Sequence, residues 1–162
     1  MELQKINVSI AEFKVVNTPA VLETQSLGSC IGVIMYDPLT KVAGLAHIML
    51  PNSKKAPVGN KSAKYADIAL IEMLAQMEAF RAARATINAR IAGGACMFSG
   101  SAISDFMNIG ARNVEAAKLI LNELKIPIIA EDTGGKHGRT VEFNTTTGKV
   151  FIKSAMHPTK EL

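Results

Sequence analysis

Tryptophan is absent from the 162 residues, and cysteine occurs only at Cys30 and Cys96, with no close spacing between them. Such a pair builds no disulfide framework, so a reducing compartment is expected. Cys30, Cys96, His47, His137 and His157 match neither Cys-x-x-Cys nor His-Glu-x-x-His spacing. No metal site and no cofactor are therefore expected. Aromatics are only 5% and the basic residues are scattered, so a net charge of +4 and a pI of about 9.1 do not amount to a basic groove with interleaved rings. Nucleic-acid binding is not expected, and a mildly basic surface suits an acidic protein partner instead. No window holds eighteen continuous apolar residues, and "MELQKINVSIAEFK" lacks the basic start and apolar stretch of a signal peptide. A soluble cytoplasmic protein without membrane insertion is the expectation.

What is present is an ordinary globular composition, 48% hydrophobic and 20% charged, enough for one domain over residues 1–162. Strands are predicted at "FKVV" (13–16), "AVLET" (20–24), "CIGVIMY" (30–36), "VAGLAHIML" (42–50), "TINARIA" (86–92), "IPIIA" (126–130), "RTVEFN" (139–144) and "KVFIK" (149–153). A helix is predicted from Lys61 to Arg84, with Ala66, Ala69, Leu70, Met73, Leu74 and Met77 on its apolar stripe. A second spans about 110–124, with Val114, Ala117, Leu121 and Leu124 on one face. "TTTG" reads as a hairpin turn and "HPTKEL" as a frayed end. The fold class is α+β: a single domain of packed mixed β-sheets flanked by two main helices.

The chemistry concentrates in the first hairpin. If "DPLT" is its four-residue loop, Tyr36 faces Lys41 and Cys30 lies directly opposite His47. Paired residues on one face hold their Cβ atoms about 4.5–5.5 Å apart. That spacing lets a thiol and an imidazole share a proton, whereas a one-residue change in the loop would put them on opposite faces. Cys30 is then either a small buried packing residue or a nucleophile. In the second case imidazole pairing depresses the thiol pKa. Thr24, just upstream, can orient the imidazole through its hydroxyl or its carbonyl. In "SLGSC", Gly28 and Ser29 form a corner whose backbone N–H groups can serve an oxyanion hole.

Other patterns are weaker. "GSCIG" matches the nucleophile elbow of class I glutamine amidotransferases, but a strand rather than a helix follows the cysteine. "EDTGGKHGRT" lacks a phosphate-loop pattern and reads as a turn, with Asp132 and Thr133 as an alternative site rim. Cys96 reads as packing.

"LGSC", "AGLAHIMLP", "KYAD", "IAGGACMF", "NIGARN" and "EDTGG", in that order, resemble the blocks of the CheD family, the chemoreceptor glutamine deamidases. The likeness runs from about residue 10 to 153. It implies a cysteine hydrolase that converts receptor glutamines to glutamates, with a fold similar to the catalytic domain of cytotoxic necrotizing factor toxins. It implies Cys30 as nucleophile, His47 as general acid and base, and Thr24 as support. The implied partners are methyl-accepting chemotaxis proteins and a CheC-type phosphatase. The segment carrying Phe98, Asn108 and Arg112 resembles the protein-facing surface, with Phe98 readable either as an exposed contact or as a buried ring. Two other readings remain: a non-catalytic regulatory binding module for CheC and receptors, or a receptor methylester hydrolase.

Overall fold

Short runs of aliphatic and β-branched residues become strands, and helical stripes cover one face of what they form. The computed structural model describes residues 2–57, 59, 62–97 and 108–162. Among these, ten strands and two helices are numbered in chain order. The first sheet has the order β1 (Gln4–Asn7), β3 (Ala20–Leu27), β8 (Arg139–Asn144), β9 (Lys149–Ser154), β10 (His157–Glu161). The second has the order β2 (Glu12–Val16), β5 (Ala43–Ile48), β4 (Ile31–Tyr36), β6 (Asn88–Gly93), β7 (Ile128–Thr133). β1–β3 and β6–β7 are parallel and the remaining neighbours antiparallel, so both sheets are mixed, as the sequence predicts. The helices are α1 (Ala66–Ala79) and α2 (Ile109–Glu123).

The period of two in β4 shows how the layers form. Ile31, Val33 and Met35 join the core shared with the helices, while Ile34 and Tyr36 join the core between the sheets. Burial on both faces explains why β4 reads as an unbroken apolar run. The six stripe residues predicted for α1 are all buried. Met73 lies so close over β5 that a Cβ on Gly44 would sit 2.8 Å from its Cγ.

Several boundaries differ from the sequence reading. α1 is shorter than 61–84, because its C-terminus closes at Arg81 in the left-handed region (φ 73°). The N–H groups of Ala82 and Arg81 then bond the carbonyls of Met77 and Glu78, a Schellman closure without the usual glycine to announce it. α2 ends the same way at Lys125. β3 runs on to Leu27 past a bulge at Gln25 and Ser26, and β7 lies two to three residues later than expected. "HPTKEL" is not frayed: residues 157–161 pair with β9. β1 is a strand that the sequence reading does not include.

The first hairpin also has a different register. Tyr36 pairs with Ala43, and Gly32, not Cys30, stands opposite His47. The loop holds six residues, because Lys41 adopts a left-handed conformation (φ 63°) while its N–H returns to Asp37 O at 2.8 Å. Asp37, fully buried, fastens this loop by accepting from Leu39 N (3.0 Å), Ala83 N (3.0 Å) and Thr86 Oγ1 (2.9 Å). A shift of two residues preserves the face, so Cys30 and His47 still point the same way.

Candidate active site

That common face looks into the space between the sheets. His47 lies on β5, fully buried, and follows Ala43 and Leu45, whose side chains fill that inter-sheet core. From the opposite sheet, β3 presents Thr24, also fully buried, with Oγ1 2.7 Å from His47 Nδ1. The same hydroxyl donates to Val8 O at 2.7 Å. A threonine hydroxyl has one proton. Since that proton goes to Val8, Oγ1 must accept from Nδ1–H, and His47 is held as the tautomer with a bare Nε2. Thr24 therefore touches the imidazole through its hydroxyl, not its carbonyl. Val8 lies where the chain crosses from β1 in one sheet to β2 in the other, its own N–H bonded to Glu23 O at 2.7 Å.

Gly32 makes room for this contact. A Cβ there would meet Leu27 Cδ1 at 3.2 Å and Thr24 Cγ2 at 3.6 Å. Cys30, half-buried, packs against the inter-sheet core just before β4 begins. It lines a cavity of about 430 Å³ together with Ser26, Gly28, Ser29, Met97 and Ile109. Cys30 thus borders the cavity while His47 is fully buried.

Among the described residues, His47 Nε2 has no hydrogen-bond partner. The electrostatics follow: burial pushes the Cys30 thiol up, its own backbone N–H opposing only in part, and burial pushes His47 down. This corrects the expected depressed thiol. In the resting protein both groups are neutral, because desolvation penalises each charged form and no thiol–imidazole hydrogen bond offsets it. The arrangement can act as a general-base pair, in which proton transfer accompanies attack on a carbonyl.

The corner before Cys30 is held by its carbonyls. Gly28 O accepts from Ala95 N (2.8 Å), Ser29 O from Asn113 Nδ2 (3.0 Å) and Cys30 O from Gly94 N (2.9 Å). The Gly28 N–H, expected to be free for an oxyanion, turns back on Ser26 O at 3.1 Å. Gly93 (φ 103°) passes so close over Cys30 O that a side chain there would strike it. Gly110 lets α2 approach the β6 end, since a Cβ would come within 2.5 Å of Ala95 O and Gly94 O.

Of the residues expected to face a partner, Phe98 lies outside the described residues. Asn108 caps α2, its side chain accepting from Ala111 N at 3.1 Å, and it borders the Cys30 cavity. Arg112 lines a different cavity of about 340 Å³, with Leu50, Lys54 and Tyr65. Thr133, Gly134 and Gly135 border a second cavity of about 430 Å³, which shares Cys96 and Asn108 with the first. Asp132 instead pairs with Arg139 at 3.2 Å. Cys96 is half-buried and borders both cavities, so it is not a core-packing residue. The sequence reading missed Val8, the glycine contacts and Asn113. Only Asn113 left a signal, a polar residue one turn before Ala117 on the apolar face of α2.

A two-sheet α+β scaffold thus brings a cysteine at a cavity wall and a buried imidazole held by Thr24 to one face. The sequence profile of the family described as "CheD chemotactic sensory transduction" matches residues 49–154. "Chemoreceptor glutamine deamidase CheD" of Halalkalibacterium halodurans is 48% identical over 161 residues, covering 97% of this chain and 98% of that protein. "Probable chemoreceptor glutamine deamidase CheD" of Caldanaerobacter subterraneus is 45% identical over 160 residues, covering 99% of each. A protein of the same printed name from Lachnoclostridium phytofermentans is 43% identical over 159 residues, covering 98% of this chain and 99% of that one. The chain belongs to the CheD family.

Proposed function

We propose that this protein is a protein-glutamine amidohydrolase that converts glutamines of methyl-accepting chemoreceptors to glutamates. The observation that carries the reading is the Thr24–His47 hydrogen bond, which leaves a bare Nε2 on the face shared with Cys30. In the proposed reaction the Cys30 sulfur attacks the side-chain carbonyl carbon of glutamine as its proton passes to Nε2. The tetrahedral oxyanion collapses, the C–N bond breaks, and the imidazolium gives its proton to the departing nitrogen, which leaves as ammonia. Water, deprotonated by Nε2, attacks the thioester, and glutamate and the thiol are released.

The wider reading takes the chain as one deamidase domain in the cytoplasm, with a fold like that of the cytotoxic necrotizing factor catalytic domain. A CheC-type phosphatase would bind through the segment carrying Phe98, Asn108 and Arg112, of which Asn108 borders the Cys30 cavity. The two mixed sheets, and a cavity that Cys30 lines, support the deamidase-domain part of this reading.

The test is incubation with receptors from the same genome, followed by peptide mapping. Each converted glutamine gains about one dalton, as amide becomes acid. Cys30→Ala should abolish the shift while leaving a folded protein that still binds receptor. A shift that persists in Cys30→Ala would sink the thioester mechanism. Retained receptor binding without any shift in the wild type would favour a regulatory binding module.

A further inference from the structure

Asn113 is fully buried on α2, and its carboxamide reaches the chain on either side of the candidate site. Nδ2 lies 3.0 Å from Ser29 O and 3.0 Å from Met49 O. Placing the amide the other way would set its oxygen against two acceptors, so the orientation is fixed by chemistry. Ser29 directly precedes Cys30, and Met49 follows His47 by two residues. The ladder between β4 and β5 ends at Ile31 and Ile48, and beyond it the N–H groups of Met49 and Leu50 turn away to Lys64 O, both at 2.9 Å. Asn113 thus supplies the bond that joins the two chains where their own rungs stop.

A planar trans peptide points its N–H opposite to its C=O. With Ser29 O held toward α2, the N–H of Cys30 is aimed away from the helix, on the side where its own sulfur lies close enough to feel it. That is where a carbonyl bonded to sulfur would develop its negative oxygen. The cost of the arrangement is visible, because asparagine is a poor helix former and Asn113 Oδ1 is buried without a partner among the described residues.

We infer that Asn113 is a positioning residue: it fixes the spread between the Cys30 and His47 chains and aims the Cys30 N–H as an oxyanion donor. The inference rests on the deamidase reading above. Asn113→Ser keeps one donor, and Asn113→Ala keeps none. Turnover of a cognate receptor, mapped by peptide mass, should fall about tenfold in kcat for the serine variant and about a hundredfold for alanine, as for loss of oxyanion stabilisation. KM should stay within twofold for both. A readout without substrate runs alongside: iodoacetamide labelling of Cys30, resolved by peptide mass, should shift to higher pH in both variants. Failure of wild-type turnover would remove the deamidase reading and leave the labelling experiment to judge Asn113. A wild-type kcat or an unmoved labelling profile in the alanine variant would overturn the inference. So would unfolding of both variants, which would make Asn113 a residue of the fold alone.

Discussion

Replacing Thr24 by valine keeps the shape of the side chain and removes one oxygen, which isolates what the hydroxyl does. Two buried groups lose their partner: Val8 O, 2.7 Å away, and His47 Nδ1–H, also 2.7 Å away. An unsatisfied buried group costs about 1–3 kcal/mol, so the variant should lose about 2–6 kcal/mol of stability. Against a total stability of about 5–15 kcal/mol, thermal unfolding of the variant decides whether the rate is read on folded protein. The second effect is on the imidazole. Without Oγ1, nothing at Nδ1 favours the tautomer with a bare Nε2, and about 1.5–2 kcal/mol of bias disappears. At about 1.4 kcal/mol per factor of ten, kcat should fall roughly 10- to 30-fold. Thr24→Ser, which keeps the oxygen, should restore most of the rate. The assay is the time course of receptor deamidation by mass spectrometry, with thermal unfolding of each variant in parallel. A Thr24→Val protein that turns over within twofold of wild type, or a serine variant as slow as valine, would refute the tautomer argument.

Burial raises the Cys30 thiol and lowers His47, so kcat/KM should be flat through neutral pH, with its acid limb below the ordinary histidine value of about 6.5. Cys30 labelling by iodoacetamide should accordingly titrate above about pH 8.5; a midpoint below 7 would reveal a resting ion pair and contradict the reading. Gly93→Ala forces a side chain against Cys30 O at a φ of 103°, and should cost at least about 1–3 kcal/mol in urea unfolding and most of the activity. Asp37→Ala should cost about 2–4 kcal/mol in the same assay, because three donors lose a buried acceptor. Burial alone would raise the Asp37 carboxyl, but the Ala83 N–H, the Thr86 hydroxyl and the Leu39 N–H outweigh it and hold the value low. Its stabilisation is therefore full above about pH 4 and is lost as the pH falls through the depressed value, so wild type and Asp37→Ala should converge in acid.

The sequence showed the face of the candidate site better than its register. Side-chain alternation makes a two-residue error invisible to the question of which face a residue occupies, so Cys30 and His47 could be matched through a wrong loop length. The error came from Lys41, which takes a left-handed conformation that a lysine does not advertise. Arg81 and Lys125 hid the helix ends in the same manner. α1 was legible because its stripe repeats over almost four turns against a continuous surface. Val8 and Asn113 were not, since each acts on a residue far along the chain. β10 is not legible because its side chains bury nothing, and its order comes from backbone pairing instead.

His47 and Cys30 belong to one sheet and Thr24 to the other, so the proposed chemistry depends on a gap that no backbone ladder spans at that point. Side-chain contact in the inter-sheet core and the crossing at Val8 and Ala11, bonded to Glu23 O and His47 O, keep the hydroxyl at the imidazole. Turnover thereby becomes a gauge of how tightly the two sheets are clamped. Mild urea that loosens the clamp should silence the protein while its circular dichroism is still native.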